Sequence, residues 1–205
     1  MAKSITIRVT SFALIASILF SCAASYKTIG PQNLTYGSKT EGEGISYSYQ
    51  HGVLAGAGNK RYANREMKNP VKLVAIEFTN NTDRVINFRK DVDIFMGDRQ
   101  VLPTEPSVVH HQLKQRAGLY MLWSLVWLTY SKCETPDGDC SVMPIPVGVL
   151  IGIGNTSAAS NANKKFLAEL NANNILDRKI NPGETVKGLI GITSDTTGSI
   201  SLKLN

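Results

Sequence analysis

The chain of 205 residues is poor in the side chains that enzymes use most, with three histidines, three cysteines and two tryptophans. The histidines are His51 and the neighbours His110 and His111. A hydrolase needs a nucleophile beside a base that a third group orients, and few bases are present to build one. Neither a Gly-x-Ser-x-Gly elbow nor a His-Glu-x-x-His zinc helix occurs. Gly152-Ile153-Gly154 lacks the third glycine of a dinucleotide fingerprint. Adjacent residues on a strand face opposite ways, so His110 and His111 make a poor metal pair. The net charge of +6 is spread over scattered residues such as Lys60, Arg61, Arg65, Lys68 and Lys72. A nucleic-acid surface would need a denser basic patch. The expectation is a non-catalytic chain with no cofactor, no metal and no nucleic-acid partner. The alternative is a hydrolase of envelope polymers, with His51 or His110/His111 in a site that only the fold assembles.

The apolar runs also fall short of a membrane span. Lys3 and Arg8 precede an almost wholly apolar Ser11 to Phe20. That is the charged and hydrophobic part of a secretory signal, too short to cross roughly 30 Å of hydrocarbon as a helix. The run closes on Leu19-Phe20-Ser21-Cys22, which resembles the lipobox of bacterial lipoproteins. The resemblance implies cleavage before Cys22, acylation of that cysteine (palmitate among the chains) and attachment to the cell outer membrane. Ala23-Ala24-Ser25 carries neither an aspartate retention signal nor an acidic export run, which favours the periplasmic face. Residues 1–21 are then the signal peptide, and 22–44, rich in Ser, Thr, Gly, Gln and Asn, a flexible tether. Residues 45–205 form the domain. The expected partners are the membrane, through the N-terminal lipid, and an envelope protein.

Strand signals dominate both ends of that domain. Ile45, Tyr47 and Tyr49 alternate with polar residues, and Val71 to Thr79 is the strongest strand, with Val74, Ile76 and Phe78 on one face. Ile86 and Phe88, then Val92, Ile94 and Met96, mark two more. Gly97-Asp98 is a two-residue hairpin signal. Asn181-Pro182-Gly183-Glu184 reads as a turn, followed by strands Val186 to Thr193 and Ile200 to Leu204. Gly52 to Gly58 reads as a loop or bulge, and a polar, basic stretch follows to Pro70. Short strands at such spacing predict an all-β sandwich. Ile76-Glu77-Phe78-Thr79-Asn80-Asn81, Asp93 to Asp98 and Ile180 to Ile190 resemble the small immunoglobulin-like domains of bacterial exported lipoproteins. The resemblance implies an immunoglobulin-like β-sandwich used for binding or adhesion.

An insertion near 107–174 interrupts this pattern. Leu119, Tyr120, Leu122, Trp123, Leu125, Val126, Trp127 and Tyr130 fall in one apolar piece, Gly118 to Tyr130. Val142 to Gly154 is a second, in which Gly148 and Gly152 permit close helix approach. Together they predict an apolar, largely helical hairpin. Three readings stay open: a second core packed on the sandwich, which is preferred, a surface dipping into one leaflet, or a surface for a protein partner. At the bend, Cys133 and Cys140 are expected to pair in an oxidising compartment. A calcium loop from Glu134, Asp137 and Asp139 lacks the regular ligand spacing. Asn161 to Asn174 reads as a separate helix with Asn163 as its cap.

Overall fold

The structure, a computed structural model, describes residues 23–133, 140–194 and 197–205. Residues 1–21, expected as a signal peptide, and Cys22 lie outside the described residues. The chain divides into two compact units, a larger one from 26–115 and 162–205, and a smaller one from 116–161 with the N-terminal residues through Ser25.

The larger unit is organised around strand β3. Strands β1 (Thr40–Gly42), β2 (Ile45–Gln50) and β3 (Val71–Asn80) form an antiparallel sheet with β11 (Thr185–Thr193) and the short β7 (Pro103–Thr104), in the order β1-β2-β3-β11-β7. A second sheet has the order β12 (Ile200–Leu204), β5 (Val92–Met96), β6 (Arg99–Val101), and a small pair joins β10 (Lys179–Ile180) to β4 (Ile86–Asn87). The hairpin signal at Gly97-Asp98 holds: Met96 pairs with Arg99, and Gly97 takes φ +60°. Every strand pairing is antiparallel.

Nine of the ten β3 residues are buried, because both faces are covered. Val74, Ile76 and Phe78 point into a core shared with Ile94 and Leu202 of the second sheet. Val71, Leu73 and Ala75 point into another core with Leu54, Tyr62, Leu113 and Phe166. That second layer is helical: α1 (Val53–Gly56), α2 (Lys60–Lys68), α4 (Pro106–Leu113) and the end of the long α5 (Val147–Ala172) supply it, while the short α3 (Phe88–Asp91) leads into β5. A strand buried on both faces reads as a continuous apolar run rather than an alternation, and Leu73 to Ile76 is such a run.

Four expectations are corrected. The described structure has 33% strand and 37% helix, a mixed α/β architecture with no closed barrel among the described residues, rather than a mainly β one. The stretch expected as a loop or bulge, Gly52 to Gly58, holds α1, and the basic stretch after it forms α2, on which Tyr62, Ala63 and Glu66 make one buried face. Residues 26–36 are no flexible tether, since Tyr26, Ile29 and Pro31 are buried against the domain. Asn163 caps nothing. It lies inside the continuous α5, where it is buried and its side chain bonds Gln115 in both directions at 2.8 Å.

Candidate functional site

The smaller unit carries the molecule's largest concentration of exposed apolar side chains. It begins with a 3-10 segment, Ala117–Leu125, continues into β8 (Leu128–Cys133) and β9 (Cys140–Ile145), and ends with the first half of α5. The helical hairpin expected from the sequence is thus a β-ribbon flanked by a 3-10 turn and a helix. Pro144 and Pro146 explain the change: proline cannot donate within a helix and its ring clashes with the preceding turn, so α5 starts only after Pro146.

The two glycines expected to allow close approach do so. A β-carbon on Gly148 would land on the Trp123 carbonyl oxygen and 2.7 Å from that of Val126, while one on Gly152 would stand 3.2 Å from the Tyr120 carbonyl. The Gly148 amide donates to the Val126 carbonyl at 3.0 Å. Backbone therefore meets backbone here, and side chains are left to point outward. Tyr120, Trp123 and Val126 are half-buried, whereas Leu119, Leu122, Leu125, Trp127 and Tyr130 are exposed. Leu122 is 63% exposed and Leu125 75%. In the ribbon, Leu128 faces Ile145 and Tyr130 faces Met143, and cross-strand partners share a face. All four are exposed. Leu150 and Ile153 continue the surface on α5.

Among the described residues 116–161, Ala159 is the only buried hydrophobic side chain. The preferred reading of a second core is therefore corrected. Contiguous exposed apolar surface of this kind marks a contact with protein or membrane. Met143, Ile145, Leu150 and Ile153 belong to it and were not singled out from the sequence. Their signal was present, in the alternation before Pro146 and the apolar spacing after it. The first described residue is tied to the same unit, because the Ala23 amide donates to Asn155 Oδ1 on α5 at 2.6 Å.

Cys133 and Cys140 are direct cross-strand partners at the end of the ribbon. Among the described residues no disulfide is present, and Glu134 to Asp139, the alternative calcium loop, lies outside the described residues. Among the described residues no group of three or more His, Cys, Asp or Glu could hold a metal, and no helix is long and apolar enough to cross a membrane.

The histidines stand apart from this surface. His51 lines a pocket of about 530 Å³ in the larger unit, together with Lys60, Asn64, Glu66, Met67 and Lys72. Its Nε2 lies 2.9 Å from the Gly198 carbonyl, and its ring meets Tyr49 edge-on. Two charged groups of this pocket, Lys72 and Glu66, are engaged in holding the fold. Lys72 Nζ donates to the carbonyls of Glu66 and Asn69 at 2.6 and 2.9 Å, a cation at the negative end of α2. β2 pairs with β3 only as far as Ala75, and two residues on the Leu73 amide donates to Glu66 Oε1 at 2.7 Å. Burial holds the Glu66 carboxyl above its usual range, against the opposing pull of the Leu73 amide and Lys72. His110 sits on α4 with its Nε2 buried and unpartnered and its ring 6.0 Å from Phe166. Burial, then Lys114, pushes its pKa down. His111 is exposed. Among the described residues, no carboxylate or hydroxyl is hydrogen-bonded to His51 or His110. Comparisons with protein-family models, curated proteins and solved structures gave no match.

Proposed function

We propose that this chain is a lipid-anchored, non-catalytic module of the bacterial cell envelope, acylated at Cys22 and held on the periplasmic face of the outer membrane. The observation that carries the reading is the bond from Ala23 to Asn155. Ala23 follows Cys22 directly, so an acylated Cys22 would emerge about 3.8 Å away along the chain, beside the unit whose apolar side chains are exposed. Anchor and contact surface then belong to one end of the polypeptide's work, and the larger unit is the scaffold. The facing sheets around Ile76, Phe78, Ile94 and Leu202 support an immunoglobulin-like sandwich in that scaffold, with a helical layer added outside. Direct pairing of Cys133 with Cys140 supports a disulfide there, since such partners lie about 4.5–5.5 Å apart at Cα, within the span a disulfide bridges.

Mass spectrometry of the mature N-terminus tests the reading. The expected product starts at Cys22, carries acyl chains and fractionates with membranes. A mature protein that keeps residues 1–21, or starts at an unmodified Cys22, refutes it.

A further inference from the structure

The exposed surface of the smaller unit has a composition that selects its occupant. Neither 117–131 nor 140–163 contains a charged residue. A protein–protein interface surrounds its apolar centre with a polar, hydrogen-bonding rim, and a lipid leaflet asks for no such rim. Arg116, Lys132 and Lys164 at their borders have the sign that anionic headgroups attract, while Glu134, Asp137 and Asp139 place the opposite charge in the connection between the two stretches. Exposed Trp127 and Tyr130 are the side chains that settle at a bilayer's polar boundary. The surface is spread over a 3-10 segment, a ribbon and a helix. Ala23 is bonded within this same unit.

We propose that the smaller unit is a membrane-contact surface, which lays its apolar face (Leu122, Leu125, Trp127, Tyr130 and Met143) into the interfacial region of a phospholipid leaflet. This rests on the lipid-anchored reading for its biological setting, since acyl chains at Cys22 would bring the face to the bilayer. The acyl chains tether and the protein surface orients. Contact is interfacial, with apolar side chains reaching the headgroup–acyl boundary as in other peripheral anchors. The ribbon lies along the leaflet, because the connection from Glu134 to Asp139 carries three carboxylates that would be costly in hydrocarbon.

The test uses the mature chain from position 22 with Cys22→Ala, exported behind a conventional cleaved signal peptide, floated with vesicles of phosphatidylethanolamine and phosphatidylglycerol, and with vesicles of phosphatidylcholine alone. The unlipidated protein floats with both, more strongly with the anionic set, and its tryptophan emission shifts to the blue. Leu122→Asp with Leu125→Asp lowers partition by about two orders of magnitude and leaves the melting transition unchanged, because both side chains are exposed. Leu102→Asp, at a residue 77% exposed in the larger unit, keeps full partition. An unlipidated chain that stays in the aqueous fraction with both vesicle types overturns the proposal. So does a chain that self-associates by light scattering and becomes monomeric on the double substitution, which would assign the surface to a second copy. Acylation of the wild-type chain is read separately. An acylated wild type with a non-floating Cys22→Ala removes the surface and keeps the anchor, and the reverse pattern removes the anchor and keeps the surface.

Discussion

The Tyr26 hydroxyl donates to Glu169 Oε2 at 2.5 Å, joining residues 143 apart in the sequence. The other carboxylate oxygen receives the amides of Ile29 and Gly30 at 2.9 and 2.8 Å. One buried side chain on α5 thus collects three donors from the segment that follows Cys22. Burial, then Glu169, holds the Tyr26 phenol far above its ordinary pKa, so it remains a donor.

Glu169→Ala should release residues 26–33 and cost about 2–4 kcal/mol, since three donors lose a charged acceptor in a buried site. Tyr26→Phe removes one of the three and should cost about 1–2 kcal/mol. Urea unfolding measures both. Hydrogen exchange at Ile29 and Gly30 should rise in the first variant and stay slow in the second.

Asn163 predicts a different pattern. Its Oδ1 accepts from the Gln115 amide at 2.8 Å and the Tyr62 hydroxyl at 3.0 Å, while Nδ2 donates to the Gln115 carbonyl at 2.8 Å. Asn163→Leu strands a buried amide and carbonyl and should cost about 2–4 kcal/mol. Gln115→Ala keeps those backbone bonds and should cost less. Equal losses in the two variants would contradict this account.

Two carboxylates give the stability opposite pH dependences. Glu66 is raised in the folded state by burial, so the folded protein holds its proton more tightly. Its contribution is present below the unfolded pKa and is lost as pH rises through the folded value. Glu184 is lowered by the Asn181 amide and then by Arg178, and its contribution is lost as pH falls through its folded value. Glu66→Gln should therefore flatten the loss of stability on the alkaline side of the carboxylate range. Glu184→Gln should flatten the acid side. Urea midpoints measured across pH separate the two effects.

Gly148→Ala should loosen the smaller unit by about 1–3 kcal/mol, as overpacking does, because its new methyl meets the carbonyls of Trp123 and Val126. Faster hydrogen exchange in Ala117–Val126, with the larger unit's β3 and β11 unchanged, is the expected readout.

If Cys133 and Cys140 pair as their register allows, protein purified without reductant should resist alkylation at both positions. Reduction should expose two thiols together. Two freely alkylated cysteines before reduction would leave the ribbon without its bridge.

Much of the larger unit was legible because its signals are local. Alternation placed Ile45 to Gln50 and Ile200 to Leu204 as strands, and Gly97-Asp98 needs only its own φ preference to form a hairpin. The helical layer was far less legible. In α2 only Tyr62 and Ala63 are apolar anchors, too few to outweigh a basic, glycine-flanked stretch. Val71, Leu73 and Ala75 were already apolar, so the second buried face of β3 was written there, but nothing local says what covers it.

The N-terminal segment and the apolar insertion mark the limit. Polar composition suggested a tether, yet Tyr26 and Ile29 find partners on a helix far along the chain, a contact no window of sequence contains. For the insertion, the sequence by itself determined that Leu119 to Tyr130 and Val142 to Ile153 are apolar and uncharged. Whether those side chains point inward or outward depended on Gly148 and Gly152, which let backbone pack on backbone and turned the side chains to the surface. Hydrophobicity is a property of the residue. Exposure is a property of what the tertiary structure brings against it.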